Sequence, residues 1–222
     1  MGAWPARIPA LCGLDESASP MMSQTHILLA SALLAKPADT TNGRLRNAAV
    51  VLGSFLPDAA IYVLFGWSKI AGIPERQVWD EIYFSDIWQD WVAAGNSLPI
   101  WIVTLVVGAL ALRSGGLHRF GILLFFAAAA ALIHIAGDLP VHVDDAHRHL
   151  WPLSDFRFVS PVSYWDADHH GRTFMFVEAA LGLTLCFILF RRFTARWVRI
   201  GLSQLLIAYI AVPFYFLVVL GG

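Results

Sequence analysis

Apolar and polar residues fall in long blocks along the chain. Apolar runs occupy residues 27–35, 47–66, 97–112, 120–141, 174–190 and 200–220. All but the first approach the roughly 30 Å hydrocarbon thickness of a bilayer at about 1.5 Å of helix per residue. Even counted from Ser23, the first run gives only about 20 Å of helix, a thin span or a helix buried among others. The second run is interrupted by Pro57-Asp58. Between 67 and 96 the pattern changes: Val78, Ile82, Tyr83, Ile87, Trp88 and Trp91 recur at three- to four-residue intervals among polar positions. That spacing predicts a helix lying in the membrane interface. The expected fold is an all-α, polytopic membrane helical bundle of about six helices: five clear spans plus a short first helix, with an interfacial helix and an outer lid loop. No internal repeat is visible at a period of about 20–50 residues.

Residues 1–21 differ from the rest. They hold Pro5, Pro9 and Pro20 and no continuous apolar core, so they fail as a signal peptide. We expect a leader or disordered tail there, with Met21 or Met22 as the natural start, and a single integral membrane domain over 22–222. Composition agrees: 58% of residues are hydrophobic, 14% are charged and the mean hydropathy is +0.63. A net charge of −1 gives no basis for nucleic-acid binding. Many of the nine tryptophans, among them Trp67, Trp79, Trp88, Trp91, Trp101, Trp151 and Trp165, stand beside polar segments, as in an interfacial aromatic belt. Cys12 and Cys186 form no disulfide or metal framework.

Basic residues set the expected orientation. Lys36, Arg44, Arg46, Arg113, Arg119, Arg191, Arg192, Arg196 and Arg199, nine of the fifteen Lys and Arg, fall on one side of a six-span arrangement. That side is expected to be cytoplasmic, with both termini outside. The opposite connections carry Glu75, Asp80, Glu81, Asp86 and Asp90, then Asp144, Asp145, Asp155, Asp166 and Asp168.

Against this topology a few ionisable residues stand out. His134 and Asp138 are four apart at the end of an apolar run and share a helix face, and Pro140 then turns the chain so that His142 can come back toward them. His26, Asp58, His134, Asp138 and Glu178, drawn from four helices, fall in one outer layer of the expected bundle. Intramembrane ionisable residues are costly and mark sites. A mixed His and carboxylate set suits a divalent metal, zinc foremost, with no cysteine pair for thiolate ligation. Asp58 and Glu178 are then candidates either to orient a ligand imidazole or to accept a proton from water. Each residue has a plainer reading. His26 can be interfacial, and Asp58 can satisfy backbone donors at the proline kink. His134 with Asp138 can be a packing pair, Glu178 can snorkel, and His147, His149, His169 and His170 can be solvated loop residues. Arg157 and Arg172 are candidates for an anionic substrate group such as a phosphate.

Ser23-Gln24-Thr25-His26, Leu56-Pro57-Asp58, His134-x-x-x-Asp138-x-x-x-His142 and Trp151-Pro152-Leu153-Ser154-Asp155-Phe156-Arg157-Phe158 resemble the YdjM-like family of inner-membrane metal-dependent hydrolases over roughly residues 22–190. That family is grouped with zinc-dependent phospholipase C and P1-type nucleases. The resemblance implies His26, Asp58, His134, Asp138 and His142 as metal ligands. The late His-x-x-x-Glu pair of the soluble phospholipases has no clean equivalent: His170 and Glu178 are eight apart, and Asp166 and His170 four.

The expected function is a membrane-bound metal-dependent hydrolase with a divalent metal, zinc foremost, acting on a phosphoester or lipid-linked substrate at the outer face of an inner (plasma) membrane. Asp58 and Glu178 would be catalytic, and Arg157, Arg172, His169 and His170 substrate-binding. The expected partners are the lipid bilayer and such a substrate. The alternative is a small transporter or ion-coupled protein using buried Asp58, Asp138 and Glu178, disfavoured by the apolar inner halves of the later helices. Haem ligation by His26 and His134 is a third possibility.

Overall fold

In a computed structural model, residues 23–164 and 166–218 are described. The expected leader over 1–21, the start at Met21 or Met22, Cys12, Trp165 and the last residues expected in the final span lie outside them. The described chain is helical, with no strand among the described residues. In chain order the helices are α1 (Ser23–Leu34), α2 (Thr41–Phe55), α3 (Ala59–Ile70), the single turn α4 (Glu75–Gln77), α5 (Asp86–Gly95), α6 (Leu98–Leu112), α7 (His118–Asp138), α8 (Gly171–Arg192) and α9 (Arg196–Val218).

Five stretches are long and apolar enough to cross a membrane: Thr41–Ile70, Asp86–Leu112, His118–Asp138, Gly171–Arg192 and Arg196–Tyr215. The protein is therefore a multi-pass membrane protein. Twelve-residue α1 is not among the five. It is packed between α2, α7 and α8, with Leu28 and Ala30 buried, which is the buried alternative expected for a short first helix.

Helix α7 is the axis of the bundle. It packs against α6, α2 and α1, while α8 joins α1 to α9. Small residues allow this closeness, as they do between membrane helices generally. Ala127, Ala128, Ala130 and Ala131 of α7 are buried. Gly53 of α2 lies so near that a Cβ there would stand 2.1 Å from the Ala127 carbonyl oxygen. A Cβ at Gly108 of α6 would stand 2.5 Å from the Phe125 backbone nitrogen.

The second apolar run breaks where proline requires it. Pro57 has no N–H to give the preceding turn, and α2 passes through a 3-10 turn (Leu56–Asp58) into α3. Helix α3 then packs on α5, whereas α2 stays on α7. The break therefore leaves Asp58 facing the end of α7.

Residues 67–96 are not one interfacial helix. They contain the end of α3, α4 running into a π-helical turn (Val78–Ile82), and α5. The three- to four-residue spacing reflects packing on α3 instead: Val78, Tyr83 and Val92 are buried with Ala60 and Leu64, and Ile82 and Trp88 flank them. Ile87 and Trp91 remain exposed.

The long connection from α7 to α8 folds back over the bundle. Its backbone pairs with itself between Ser160 and His142 (2.9 Å) and between Tyr164 and Val141 (3.0 Å). It is tied to the start of α6 by the Leu98 N–H on the His149 carbonyl (2.9 Å) and by Ser97 Oγ on the Trp151 carbonyl (2.5 Å). At the far end of the bundle the Arg192 guanidinium donates to the carbonyls of Ala32 (2.6 Å) and Ala35 (3.0 Å), satisfying the open C-terminus of α1.

Candidate metal centre

The last two turns of α7 carry the centre. His134 and Asp138, one turn apart, both point inward and are buried. The helix ends after Asp138, whose carbonyl takes the Val141 N–H at 2.9 Å, and His142 follows on the returning chain. Helix α1 brings His26 in beside Gly137. A Cβ on that glycine would meet the His26 Cε1 and Nδ1 at 3.2 Å, so the missing side chain is what lets the ring lie against α7. Asp58 comes from the proline turn, whose Pro57 carbonyl is held at 3.2 Å by Nδ2 of fully buried Asn96. Ser23, at the start of α1, donates its hydroxyl to Asp58 Oδ2 at 2.8 Å.

The side chains converge on the Asp138 carboxylate. His26 Nε2 is 2.9 Å and His142 Nε2 3.7 Å from its Oδ1, and His134 Nε2 is 2.8 Å from its Oδ2. Asp58 Oδ1 lies 3.4 Å from His134 Nε2. His26, His134 and Asp138 each offer a ligand atom, all within 4.8 Å of one another. Donors bound to zinc at about 2.0–2.1 Å in a tetrahedron stand about 3.3 Å apart, in the range seen here.

The surroundings of the His134 ring suit a cation. His134 Nδ1 is 2.7 Å from the backbone carbonyl of Ser54, which can only accept, so a neutral His134 carries its hydrogen on Nδ1. Nε2 then turns a lone pair toward two carboxylates. His134 Nε2 stands 2.8 Å from Asp138 Oδ2 and 3.4 Å from Asp58 Oδ1, an ion pair when the ring is protonated and a ligand set when it is neutral. In the neutral ring that lone pair and the carboxylate oxygens repel, and a cation between them, a proton or a metal ion, reverses the sign. His26 Nδ1 is buried without a hydrogen bond. Leaving such a group unsatisfied costs about 1–3 kcal/mol. This pattern, an imidazole held from behind by a carbonyl with its other nitrogen turned to carboxylates, is that of a metal ligand.

The connection after α7 supplies a second group. His142 Nδ1 lies 2.9 Å from Asp145 Oδ2, to which the Tyr164 hydroxyl donates at 3.2 Å. Burial disfavours a charged His142, but the carboxylates of Asp138 and Asp145 outweigh it and push its pKa up to about 10. Burial also works against the Asp145 charge, and His142 overcomes it, holding that carboxyl below the usual range. His147 packs against the His142 ring, with centroids 4.6 Å apart. Burial and the neighbouring His142 push His147 down to about 3, so it is neutral near pH 7. His149 is anchored elsewhere, its Nδ1 3.1 Å from the Asn96 carbonyl.

His147 and His149 are thus buried, against the expectation that they are solvated loop residues. Sequence reasoning also passed over Asp145. A usable signal lay in the run Asp145-Ala146-His147-Arg148-His149, in which alternate positions of an extended segment are all of ligand type. The other expected site residues lie apart from these groups. Glu178 accepts from Thr25 Oγ1 (2.6 Å), which also meets Tyr209 OH (2.5 Å), in a buried polar chain linking α8, α1 and α9. Arg157 donates to the Ala146 carbonyl and to Gln89 Oε1 (3.0 Å), tying the connection to α5. His169 Nδ1 is 2.6 Å from Asp166 Oδ2, and exposed His170, at φ 68°, turns the chain into α8 beside exposed Arg172. The His26 and His134 rings stack with centroids 3.9 Å apart, leaving no room for a porphyrin between them.

Compared with models of known families, with curated proteins and with solved structures, the chain matches none.

Proposed function

We propose that this protein is a membrane-embedded, metal-dependent hydrolase whose metal is held by His26, His134, Asp138 and Asp58, with His142 at the edge of the same cluster. The observation that carries the reading is the His134 ring. Its Nδ1 is committed to the Ser54 carbonyl, so the neutral ring turns the Nε2 lone pair to the carboxylates of Asp138 and Asp58. The donor set is imidazole and carboxylate without sulfur, which suits zinc. Such an ion supplies Lewis acidity, lowering the pKa of water and drawing charge from a phosphoryl or acyl oxygen.

The chain's own residues divide the remaining work. Asp138 gathers the three imidazoles, and Ser54 and Ser23 hold His134 and Asp58 from behind. Asp58 is the less buried of the two carboxylates and sits at the mouth of the cluster, placed to take a proton from water. Glu178 acts through Thr25, the residue next to His26 on α1. Arg172, His169 and His170, on the same side of the bundle, are assigned to substrate binding, and Arg157 braces the connection that follows α7.

The cluster lies at the end of the bundle opposite Arg113, Arg119 and Arg192. By the preference of basic residues for the cytoplasmic side, it opens to the extracytoplasmic side of a bacterial-type inner membrane. A site at that depth suits a phosphoester carried on a lipid or lipid-linked molecule.

The test is hydrolysis of a phosphoester panel by chelator-treated protein in detergent or nanodiscs. Activity is expected to return with Zn2+ and to be lost in His134→Ala. Equal activity in wild type and His134→Ala, or activity indifferent to metal, overturns the reading.

A further inference from the structure

The last two helices meet at a strongly basic end. No acidic residue follows Glu178 in the sequence, whereas Arg191, Arg192, Arg196 and Arg199 do. Arg192 is committed to the carbonyls that end α1. Arg196 and Arg199 stand at the start of α9, where the stretch able to cross a membrane begins.

A groove of about 450 Å3 opens on this part of α9, lined chiefly by Arg196, Arg199, Ile200, Ser203, Gln204 and Ile207. Spaced by threes and fours, these residues share one face of the helix. Arg199 is fixed there: its Nε donates to the Phe193 carbonyl at 3.0 Å, and its guanidinium lies over the Phe190 ring, 5.0 Å from the centroid. The Nη groups carry the guanidinium's remaining donors. The groove is far from the candidate metal centre. Tyr209, whose hydroxyl meets Thr25 beside His26, lies about 20 Å along α9 from Arg196.

The order of side chains along this face identifies its occupant. Two guanidiniums come first, then the exposed side chains of Ser203 and Gln204, with Ile200 beside them and Ile207 deeper. Gln204 lies about 12 Å along the helix from Arg196. An outward amide at that depth meets hydrocarbon, at a cost, unless a polar group is brought to it. A phospholipid presents the matching order of phosphate, glycerol ester oxygens and acyl chain. Basic pockets at the membrane ends of spanning helices favour anionic headgroups. A second copy of the chain fits less well. Two copies in one membrane with the same orientation would set their Arg196 and Arg199 side by side at one level, where like charges repel.

We infer that this face of α9 binds an anionic phospholipid. Its phosphate pairs with Arg196 and Arg199, its ester oxygens accept from Ser203 and Gln204, and an acyl chain runs along Ile200 and Ile207. The site is separate from the hydrolytic reading and does not depend on it. The bound lipid braces α9, whose packing within the chain is chiefly on α8.

The test is lipid binding by the full-length protein in detergent, titrated with phosphatidylglycerol or phosphatidylcholine and counted by native mass spectrometry. Wild type is expected to retain phosphatidylglycerol roughly 20-fold more tightly than phosphatidylcholine, each arginine contributing roughly fivefold. Arg196→Gln/Arg199→Gln should bring the two lipids to within about twofold of each other. Arg113→Gln/Arg119→Gln, which removes equal charge from the same end outside the groove, should leave the preference unchanged. If the first double variant does not fold, Arg196→Gln alone decides, because Arg196 is exposed: a loss of about fivefold is expected. Equal affinity for the two lipids in wild type, or the same loss in both double variants, overturns the site. Inorganic phosphate binding as tightly as phosphatidylglycerol shows a site for the bare ion and overturns the lipid. A dimer that persists without lipid and dissociates in Gln204→Leu gives the face to a second copy and also overturns it.

Discussion

His26 Nε2 and Asp138 Oδ1 stand 2.9 Å apart, one from the opening turn of the first helix and the other from the final turn of α7. The contact makes α1, twelve residues long among the described residues, part of the candidate metal centre. His26→Ala is expected to reduce zinc affinity by more than the roughly 10- to 100-fold typical of a residue that only orients a ligand. The fold should persist, because Leu28 and Ala30 still anchor α1. Competition against a chromophoric chelator measures the first, and helical content by circular dichroism the second.

Ser23 acts one step out. Its hydroxyl donates to Asp58 Oδ2 at 2.8 Å and lies 2.5 Å from the Tyr62 hydroxyl. Ser23→Ala frees Asp58 to rotate away from His134. A fall in zinc affinity of about 10-fold is expected, with little change in thermal stability. Affinity equal to wild type would show that the Ser23 hydroxyl has no part in positioning Asp58.

Two glycines on the faces of α7 should fail in different ways. In Gly137→Ala the new methyl presses on the His26 ring from 3.2 Å, and the ring can yield by a few tenths of an ångström. Metal affinity should fall while the unfolding temperature changes little. In Gly53→Ala the methyl would meet the Ala127 backbone at 2.1 Å, and neither helix can yield locally. The expected cost is at least about 1–3 kcal/mol of stability, seen as a lower unfolding temperature in detergent.

Protons compete with metal for His142. Neighbouring Asp138 and Asp145 push its pKa up to about 10 despite burial, so binding a metal there displaces a proton throughout the neutral range. Apparent zinc affinity should therefore rise by about tenfold per pH unit above pH 7 and level off near pH 10. An imidazole of ordinary pKa near 6.5 would level off soon after pH 7. Affinity at three or four pH values, or proton uptake by an indicator on adding Zn2+, separates the two.

The architecture was legible in the sequence because hydrocarbon imposes a simple rule: five apolar runs of spanning length became five stretches able to cross a membrane. The bend at Pro57 followed from the missing N–H. The segment 67–96 was misread because the same three- to four-residue spacing marks a helix on a membrane surface and short helical turns packed on α3. Local periodicity cannot say which surface lies beneath. His134 and Asp138 were readable as a pair because one helix fixes both. His147 and Asp145 were not, because their burial depends on a connection that folds back on Val141 and His142 through long-range backbone pairing. Glu178 could be placed by its depth along α8 but not by its direction around the helix, which brings it to Thr25, beside His26, and through Thr25 to Tyr209.

Zinc K-edge absorption spectroscopy of the purified, zinc-loaded protein tests the metal centre most directly. Nitrogen and oxygen neighbours at about 2.0–2.1 Å, with the outer-sphere scattering of imidazole rings, are expected, and this signal should disappear in Asp138→Ala. Absence of tightly held zinc, a sulfur neighbour at about 2.3 Å, or a spectrum unchanged in Asp138→Ala would contradict it.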